Sequence, residues 1–316
     1  MKKNRFIFII ALFIFILFGC SNKKENSPYR KDNKFYFGNY PQTLEKNSKT
    51  IKKLNKKAGT PTEGWTSYKY YIKDNVEDFM YYIDIDLDND DTYDYRGVYF
   101  DKYRPFHTHM VSEDSFTNQI RHGYEPNNIY YFKYELIEWD ILEDNNNNLT
   151  IISNLALDAQ DFFPSFSRGL IDHDGVLAYA NNYELSTIRK WLNKDFYNTA
   201  FSSKDKEMIN KTLVKNNYED NNYSSNDTND FIYLLSEDEV EKYYNSVEER
   251  QCDASDYAKC QGIGLISSQS TWQLRIPYTS NANYQLLLDY SGKIIHTEAN
   301  STYAGVRPVL NINYGG

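Results

Sequence analysis

Tyr130-Tyr-Phe-Lys-Tyr-Glu-Leu-Ile-Glu-Trp-Asp-Ile-Leu142, then Glu143-Asp-Asn-Asn-Asn-Asn148 and Leu149-Thr-Ile-Ile-Ser-Asn-Leu-Ala-Leu157, is the stretch on which the fold turns. The first segment is rich in aromatic and β-branched residues, and so is the third, as strands are. The asparagines between them, Asn145–Asn148, are turn formers, so the two strands are expected to be neighbours. Tyr130–Leu142 is long enough to be either one strand or two merged. Upstream, Phe35–Tyr40 reads as the first strand, closed by Pro41, and Lys46–Lys57 as a basic loop or helix. Aromatic strands are expected over 68–72, 79–87 and 93–100. In Tyr82-Ile-Asp-Ile-Asp-Leu87 the alternation sends Ile83, Ile85 and Leu87 to one face and acids to the other.

Downstream the pattern changes to helices. Ser186 is placed to cap a helix over 187–199, with Ile188, Trp191, Leu192 and Phe196 on one apolar stripe. A second helix is expected over 204–211. Ser236-Glu-Asp-Glu239 is a capping box opening a third. Asp253 precedes a fourth, over 254–261, which Gly262 ends. Asn216–Asn229 reads as a mobile loop. Strands return over 271–276, 284–290, 293–297 and 305–312, with Ser291-Gly292 turning the middle pair. Strands on both sides of a helical centre give an α+β fold rather than a doubly wound sheet. If the first and last strands pair, the termini meet on one side.

The N-terminus carries an address. Met1-Lys-Lys-Asn-Arg5 is basic and Phe6 to Phe18 is uninterrupted apolar sequence, too short to span a hydrocarbon core comfortably but the length of a signal-peptide core. Leu17-Phe18-Gly19-Cys20 resembles the lipobox of bacterial lipoproteins, which implies cleavage after residue 19 and acylation of Cys20. The expected organisation is a signal peptide over 1–19, a polar tether over 20–34 and one globular domain over 35–316. Residues 44–128 form a β-rich inserted subdomain within it. The expected location is the extracytoplasmic face of the cell membrane, with the lipid bilayer as partner. Loss of Lys2, Lys3 and Arg5 reduces 35 basic groups to 32 against 44 acidic ones, a net −12. Such a chain repels phosphate backbones, and nucleic-acid binding is not expected.

Several segments resemble one family. They are Phe37-Gly-Asn-Tyr-Pro-Gln42, Leu136-Ile-Glu-Trp-Asp-Ile-Leu142, Leu155-Ala-Leu-Asp-Ala159, Ser186-Thr-Ile-Arg-Lys-Trp-Leu-Asn193, Tyr233-Leu-Leu-Ser236, Tyr257-Ala-Lys259, Trp272-Gln-Leu-Arg-Ile-Pro277 and Gly305-Val-Arg-Pro-Val-Leu310. In this order they resemble a bacterial surface-protein family, domain-of-unknown-function family 6273. The closing Trp-x-Leu-Arg and Gly-Val-Arg-Pro pattern is similar to the core strands of C-type-lectin-like domains, formylglycine-generating enzymes among them. The resemblance implies a C-type-lectin-like mixed sheet core with a few short helices.

Three groups of residues are candidates for chemistry. The acids from Asp84 to Asp94 would repel one another on a strand end, which a hard cation relieves. An EF-hand starting at Asp86 is excluded, because Asp91 stands where glycine is needed and Gly97 where the glutamate is needed. The calcium ligands, if the loop binds one, are Asp86, Asp88 and Asp90; the alternative is a solvated hairpin, and no other cofactor is expected. Cys252 and Cys260 lie outside the cytosol, where thiols oxidise, and a structural disulfide is expected if the chain folds back ahead of the helix. Arg275 and Arg307 sit among apolar neighbours and read first as cross-strand ties. With Trp272 they are also the candidate ligand contacts. No GxSxG, Walker A or GxGxxG motif and no HExxH array occurs, so common hydrolase, nucleotide and zinc-protease signatures are missing. The expectation is a non-catalytic surface binding module for a glycan, peptide or protein ligand. The alternative is an extracytoplasmic enzyme on a formylglycine-generating-enzyme-like scaffold.

The anchor is directly testable. Wild-type protein should take up labelled fatty acid and partition into detergent with the membranes, and Cys20→Ser, lacking the acceptor thiol, should do neither. Equal labelling of the two proteins would remove the lipoprotein reading.

Overall fold

The computed structural model describes residues 28–112 and 117–315. The expected signal peptide, Cys20 and the first part of the expected tether lie outside the described residues.

The decisive stretch forms one strand, Ile129–Asn145, seventeen residues long. One of its edges pairs with Lys34–Leu44, from Lys34↔Asp140 to Leu44↔Phe132. Its other edge is shared. Tyr95–Phe100 takes the first part, between Tyr95↔Lys133 and Tyr99↔Ile129, and Asn148–Ser153 takes the last, between Trp139↔Ser153 and Asn145↔Asn148. The turn is the expected asparagine run, with Asn146 and Asn147 at φ 52° and 68°. Two successive left-handed residues match the right-handed strand twist, and asparagine tolerates that conformation.

Around this strand grows an antiparallel ten-stranded sheet. Met80–Ile85 and Thr66–Ser67 extend it beyond Tyr95–Phe100. Val309–Asn313 extends it beyond Asn148–Ser153 and receives Ile209–Asn210 and Ile232–Tyr233 on its far edge. A separate antiparallel sheet joins Trp272–Pro277, Tyr284–Leu288 and Ile294–Glu298. The fold is mixed α and β, mostly strand in a curled sheet, with a few short helices.

Several expectations change. The first and last strands of the core do not pair, since two strands lie between them, but Tyr314 meets Phe35 edge-on at 4.9 Å and closes the termini together. Tyr29–Lys31, within the tether, pairs back onto Lys34–Tyr36. Segment 44–128 contributes strands to the common sheet and a small core of Leu54, Trp65, Ile85 and Tyr95 that closes on Tyr131 of the long strand, with Ile83 and Leu87 packed against it. Helix Ser48–Ala58, capped by the Asn47 side chain, covers that core. The second helix stops at Lys206, and Ile209 becomes a strand residue because the edge of Val309–Asn313 is there to pair with. The fourth is Asp256–Cys260, capped by Ser255 rather than Asp253. The loop 216–229 is held: Asn216 and Asn221 are buried, Asn221 Nδ2 donates to the Pro277 carbonyl at 2.9 Å, and Thr228–Asp230 pairs with Thr212–Val214. The Ser236 capping box forms in both directions, with Ser236 N donating to Glu239 and Glu239 N to Ser236.

Gly305 explains one motif position. A Cβ there would lie 2.2 Å from the Thr271 carbonyl oxygen and 2.7 Å from Ile263 Cδ1. Gly305→Ala should therefore destabilise the domain by about 2 kcal/mol or more in denaturant unfolding. Gly169→Ala, whose nearest contact is 3.9 Å, should leave the midpoint nearly unchanged.

Candidate functional site

A concave feature lies where the sheet's extension faces the helical centre. Two adjoining hollows, about 260 and 340 Å³, share Tyr68, Lys69, Gln160, Trp191 and Asp195 and form one cleft. Thr66, Tyr82 and Arg96, from strands that precede residue 128, and Tyr68, just beyond the strand Thr66–Ser67, build one wall. Asp158, Gln160, Trp191 and Tyr257 build the other, from the segments that carry the family resemblance. Tyr40 closes the floor.

Local structure sets each of these side chains. Asp158–Ala159 pairs with Gly305–Val306, which holds the Asp158 backbone under the cleft. Its carboxylate accepts from Tyr40 Oη at 2.7 Å, from Ala159 N at 2.7 Å and from Gln160 Nε2 at 3.1 Å. Tyr257 Oη lies 2.9 Å from Tyr68 Oη and 3.4 Å from Arg96 Nη1. Arg96 grips Asp84 through two bonds of 2.7 Å and lies over the Tyr82 ring at 4.2 Å. Trp191 and Asp195 stand four residues apart on one helical face. Directly after Trp191 the helix widens into a π turn, Leu192–Phe196, which includes Asp195 and is of a kind often found at functional sites.

The electrostatics follow from burial. Desolvation pushes the Asp158 carboxyl above the usual carboxylate range, against the hydrogen bonds from Tyr40, Ala159 and Gln160. Asp161 is raised by burial too, opposed by Arg104. Partial desolvation raises Asp195, against the charge of Lys194. The lining residues include no histidine and no cysteine.

Trp272, Arg275 and Arg307 lie elsewhere, in filled core. Arg275 donates to the Leu234 carbonyl at 2.7 Å, to the Lys215 carbonyl at 3.1 Å, to Asn216 Oδ1 at 3.2 Å and to Glu239. Arg307 donates to the Ser153 carbonyl at 2.9 Å, contacts Asp140 at 3.3 Å and lies over the Trp272 ring at 4.9 Å. Each is at most 2% exposed, so as ligand contacts they give way to the cleft residues. Trp191, expected in the core, is only half-buried, and its apolar stripe gave no sign of the exposed edge. Asp158 did carry a signal: an acid inside Leu155-Ala-Leu-Asp-Ala159 must be buried with partners or with a task.

Of the calcium candidates, Asp86 and Asp88 come together with Asp94, not Asp90, with one oxygen of each within 4.8 Å of the others. Asp90 instead accepts from its neighbour Thr92 N at 3.0 Å. The Asp86 carboxylate accepts from the backbone of Asn89, Asp90 and Asp91, and Lys57 Nζ donates to the Asp86 carbonyl at 2.6 Å and to Asn89 Oδ1 at 2.9 Å. A lysine and the loop's own N–H groups thus already offset part of the negative charge.

The disulfide is corrected as well. Cys252 and Cys260 are buried free thiols. Cys252 faces Ser270, Sγ to Oγ 3.2 Å, whereas Cys260 ends the helix against Gln119, which donates to its carbonyl at 2.8 Å. The chain folds back before the helix, but it brings Ser270 to Cys252. Burial raises both thiols above their ordinary range. Both should therefore resist iodoacetamide in the folded protein and react fully in denaturant without reductant. A requirement for reductant would restore the disulfide.

Residues 146–314, more than half of the chain, match the model of the family described as Domain of unknown function (DUF6273). No curated protein and no solved structure matches the chain. The matched segment contains Asp158, Gln160, Trp191, Asp195 and Tyr257 and lacks Tyr40, Tyr68, Tyr82 and Arg96, so it covers one wall of the cleft. The chain belongs to the DUF6273 family.

Proposed function

We propose that the protein is a lipoprotein anchored through Cys20 at the extracytoplasmic face of the membrane, a binding module whose ligand enters the cleft between Tyr68 and Trp191. The scaffold reading is C-type-lectin-like, supported by the Trp272-x-Leu-Arg275 and Gly305-Val-Arg-Pro308 strands of the sequence. The observation that carries the binding reading is the cleft itself. Rings of Tyr68, Tyr82 and Trp191 flank hydrogen-bonding groups of Thr66, Gln160 and Asp195 in a concavity at the small end of ligand sites. Such a lining suits one polar group of a glycan, peptide or protein surface rather than a whole large molecule.

The enzyme reading draws on Asp158 and Asp161, both raised by burial, and on Asp195 at the rim, raised by partial desolvation. Asp158 is already bound by three protein donors and Asp161 by Arg104 at 3.5 Å, which leaves Asp195 alone to reach a reacting group. Binding accounts for the arrangement with fewer requirements.

The test is an array of glycans and peptides probed with wild-type protein and Trp191→Ala. Because Trp191 is half-buried at the rim, the variant should fold, and binding should weaken by about tenfold or more. Binding that is indifferent to Trp191 would move the site elsewhere, and release of a cleaved product from a bound ligand would favour the enzyme.

A further inference from the structure

Cations in and beneath the cleft have acids of their own. Lys69 pairs with Asp78 at 2.5 Å, Arg96 with Asp84 at 2.7 Å and Arg104 with Asp161 at 3.5 Å, and Lys190 pairs with Asp174. Two lining carboxylates remain, Asp158 on the floor and Asp195 at the rim, neither in an ion pair among the described residues. Asp158 accepts only from neutral donors, Tyr40, Ala159 and Gln160, and the one cation acting on it is Arg104, at longer range and already paired with Asp161. Lys194 is exposed beside Asp195, where solvent screens it. The cleft therefore carries surplus negative charge in partly desolvated surroundings.

Its rings add to that preference. An aromatic face is the negative end of a quadrupole and attracts a cation that has shed water. The protein uses this twice at the edge of the site: Arg96 lies over Tyr82 at 4.2 Å and Arg104 over Tyr70 at 3.7 Å. Tyr68 and Trp191 also line the cleft. Tyr68 is stacked on Tyr70 at 5.3 Å and tilted against Tyr82 at 4.8 Å, so it offers its remaining edge, and neither Tyr68 nor Trp191 has a cation over its ring among the described residues.

We propose that the group received by the cleft is an alkylammonium cation, held between Tyr68 and Trp191 with Asp195 and Asp158 as counter-charges. This rests on the cleft being the ligand site and adds the chemical class. A quaternary headgroup and a lysine-like primary amine share that chemistry. Choline serves as probe for the first, butylammonium for the second, and 3,3-dimethylbutan-1-ol as the uncharged isostere of choline.

The experiment is calorimetric titration of each probe into wild-type protein, Asp195→Asn and Trp191→Ala, at constant ionic strength. At least one cation should bind about tenfold or more tightly than the alcohol. Asp195→Asn should remove most of that difference, since Asp195 is exposed and its amide keeps the fold while losing the charge. Trp191→Ala should weaken the cation by a similar factor. Equal affinity for choline and the alcohol, no binding of either cation, or a cation preference that survives Asp195→Asn would each overturn the proposal. If both cations fail but the array finds a neutral ligand dependent on Trp191, the binding reading stands and only the ligand class falls. If both are blank, both fall.

Discussion

The structure depends on one strand having more edge than any neighbour can use. At about 3.3 Å per residue, Ile129–Asn145 is roughly 55 Å long, and the hydrogen-bonding groups along its edges need partners. Lys34–Leu44 covers much of one edge, while Tyr95–Phe100 and Asn148–Ser153 divide the other. The ladder with Lys34–Leu44 is interrupted between Tyr36 and Asn39, where Gly38 takes φ +68°. That bulge leaves the Phe37 carbonyl for the indole of Trp139, which donates to it at 2.8 Å. No other residue serves at Gly38, since a Cβ would fall 2.5 Å from the Phe201 ring. Sheet twist then carries the two halves of the long strand to different orientations. The strands before residue 128 follow one half, and those of the family segment follow the other.

The cleft is a consequence of that division. Its walls come from the two groups of strands and helices that the long strand joins, and their facing surfaces are polar because both halves place ionised groups there. Arg96 and Asp84 come from paired positions of neighbouring strands, with side chains 6% and 15% exposed. A pair so buried adds little net stability, but removing one partner leaves an uncompensated charge, which typically costs about 3–5 kcal/mol. Tyr134 donates to Asp84 as well, at 2.9 Å. The wall is thereby held in one geometry by charge satisfaction, where an apolar wall would tolerate repacking. Arg275 and Arg307 do the same in the core, tying chain segments far apart in sequence through backbone carbonyls and carboxylates.

Local rules made much of the fold legible. The asparagine turn, the Ser236 capping box, the Ser186 cap and the alternation at Ile83, Ile85 and Leu87 are properties of a few consecutive residues, and each appears in the structure. What the sequence did not disclose depends on residues distant in the chain. Ile209 became a strand because Val309–Asn313 had a free edge, and loop 216–229 became ordered because Asn216 and Asn221 meet Arg275 and Pro277. The cleft is the extreme case. Tyr40, Tyr82, Arg96, Asp158 and Tyr257 have no shared spacing that marks them as one site. Periodicity placed Trp191 on the apolar stripe with Ile188, and an aromatic stripe carries no label for the member that reaches the surface.

The π turn connects the core to the rim. Had the helix continued as α through Leu192–Phe196, the absence of the extra residue would rotate everything beyond it by about 100°. Phe196, now buried against Tyr40 at 5.0 Å and Trp191 at 5.5 Å, would lose that position. The turn is fixed from outside by Asn193. Its Oδ1 accepts from Phe231 N at 2.8 Å and Ile232 N at 3.2 Å, and its Nδ2 donates to the carbonyls of Ile232 at 2.8 Å and Arg189 at 3.1 Å. Ile232 in turn is paired with Leu310 on the last strand of the main sheet. The widened turn is therefore held by the sheet, and through it the sheet sets where Trp191 and Asp195 stand on the cleft. Rigidity at those two residues suits the proposed binding role, because a rim already ordered would spend less contact energy on being ordered by a ligand.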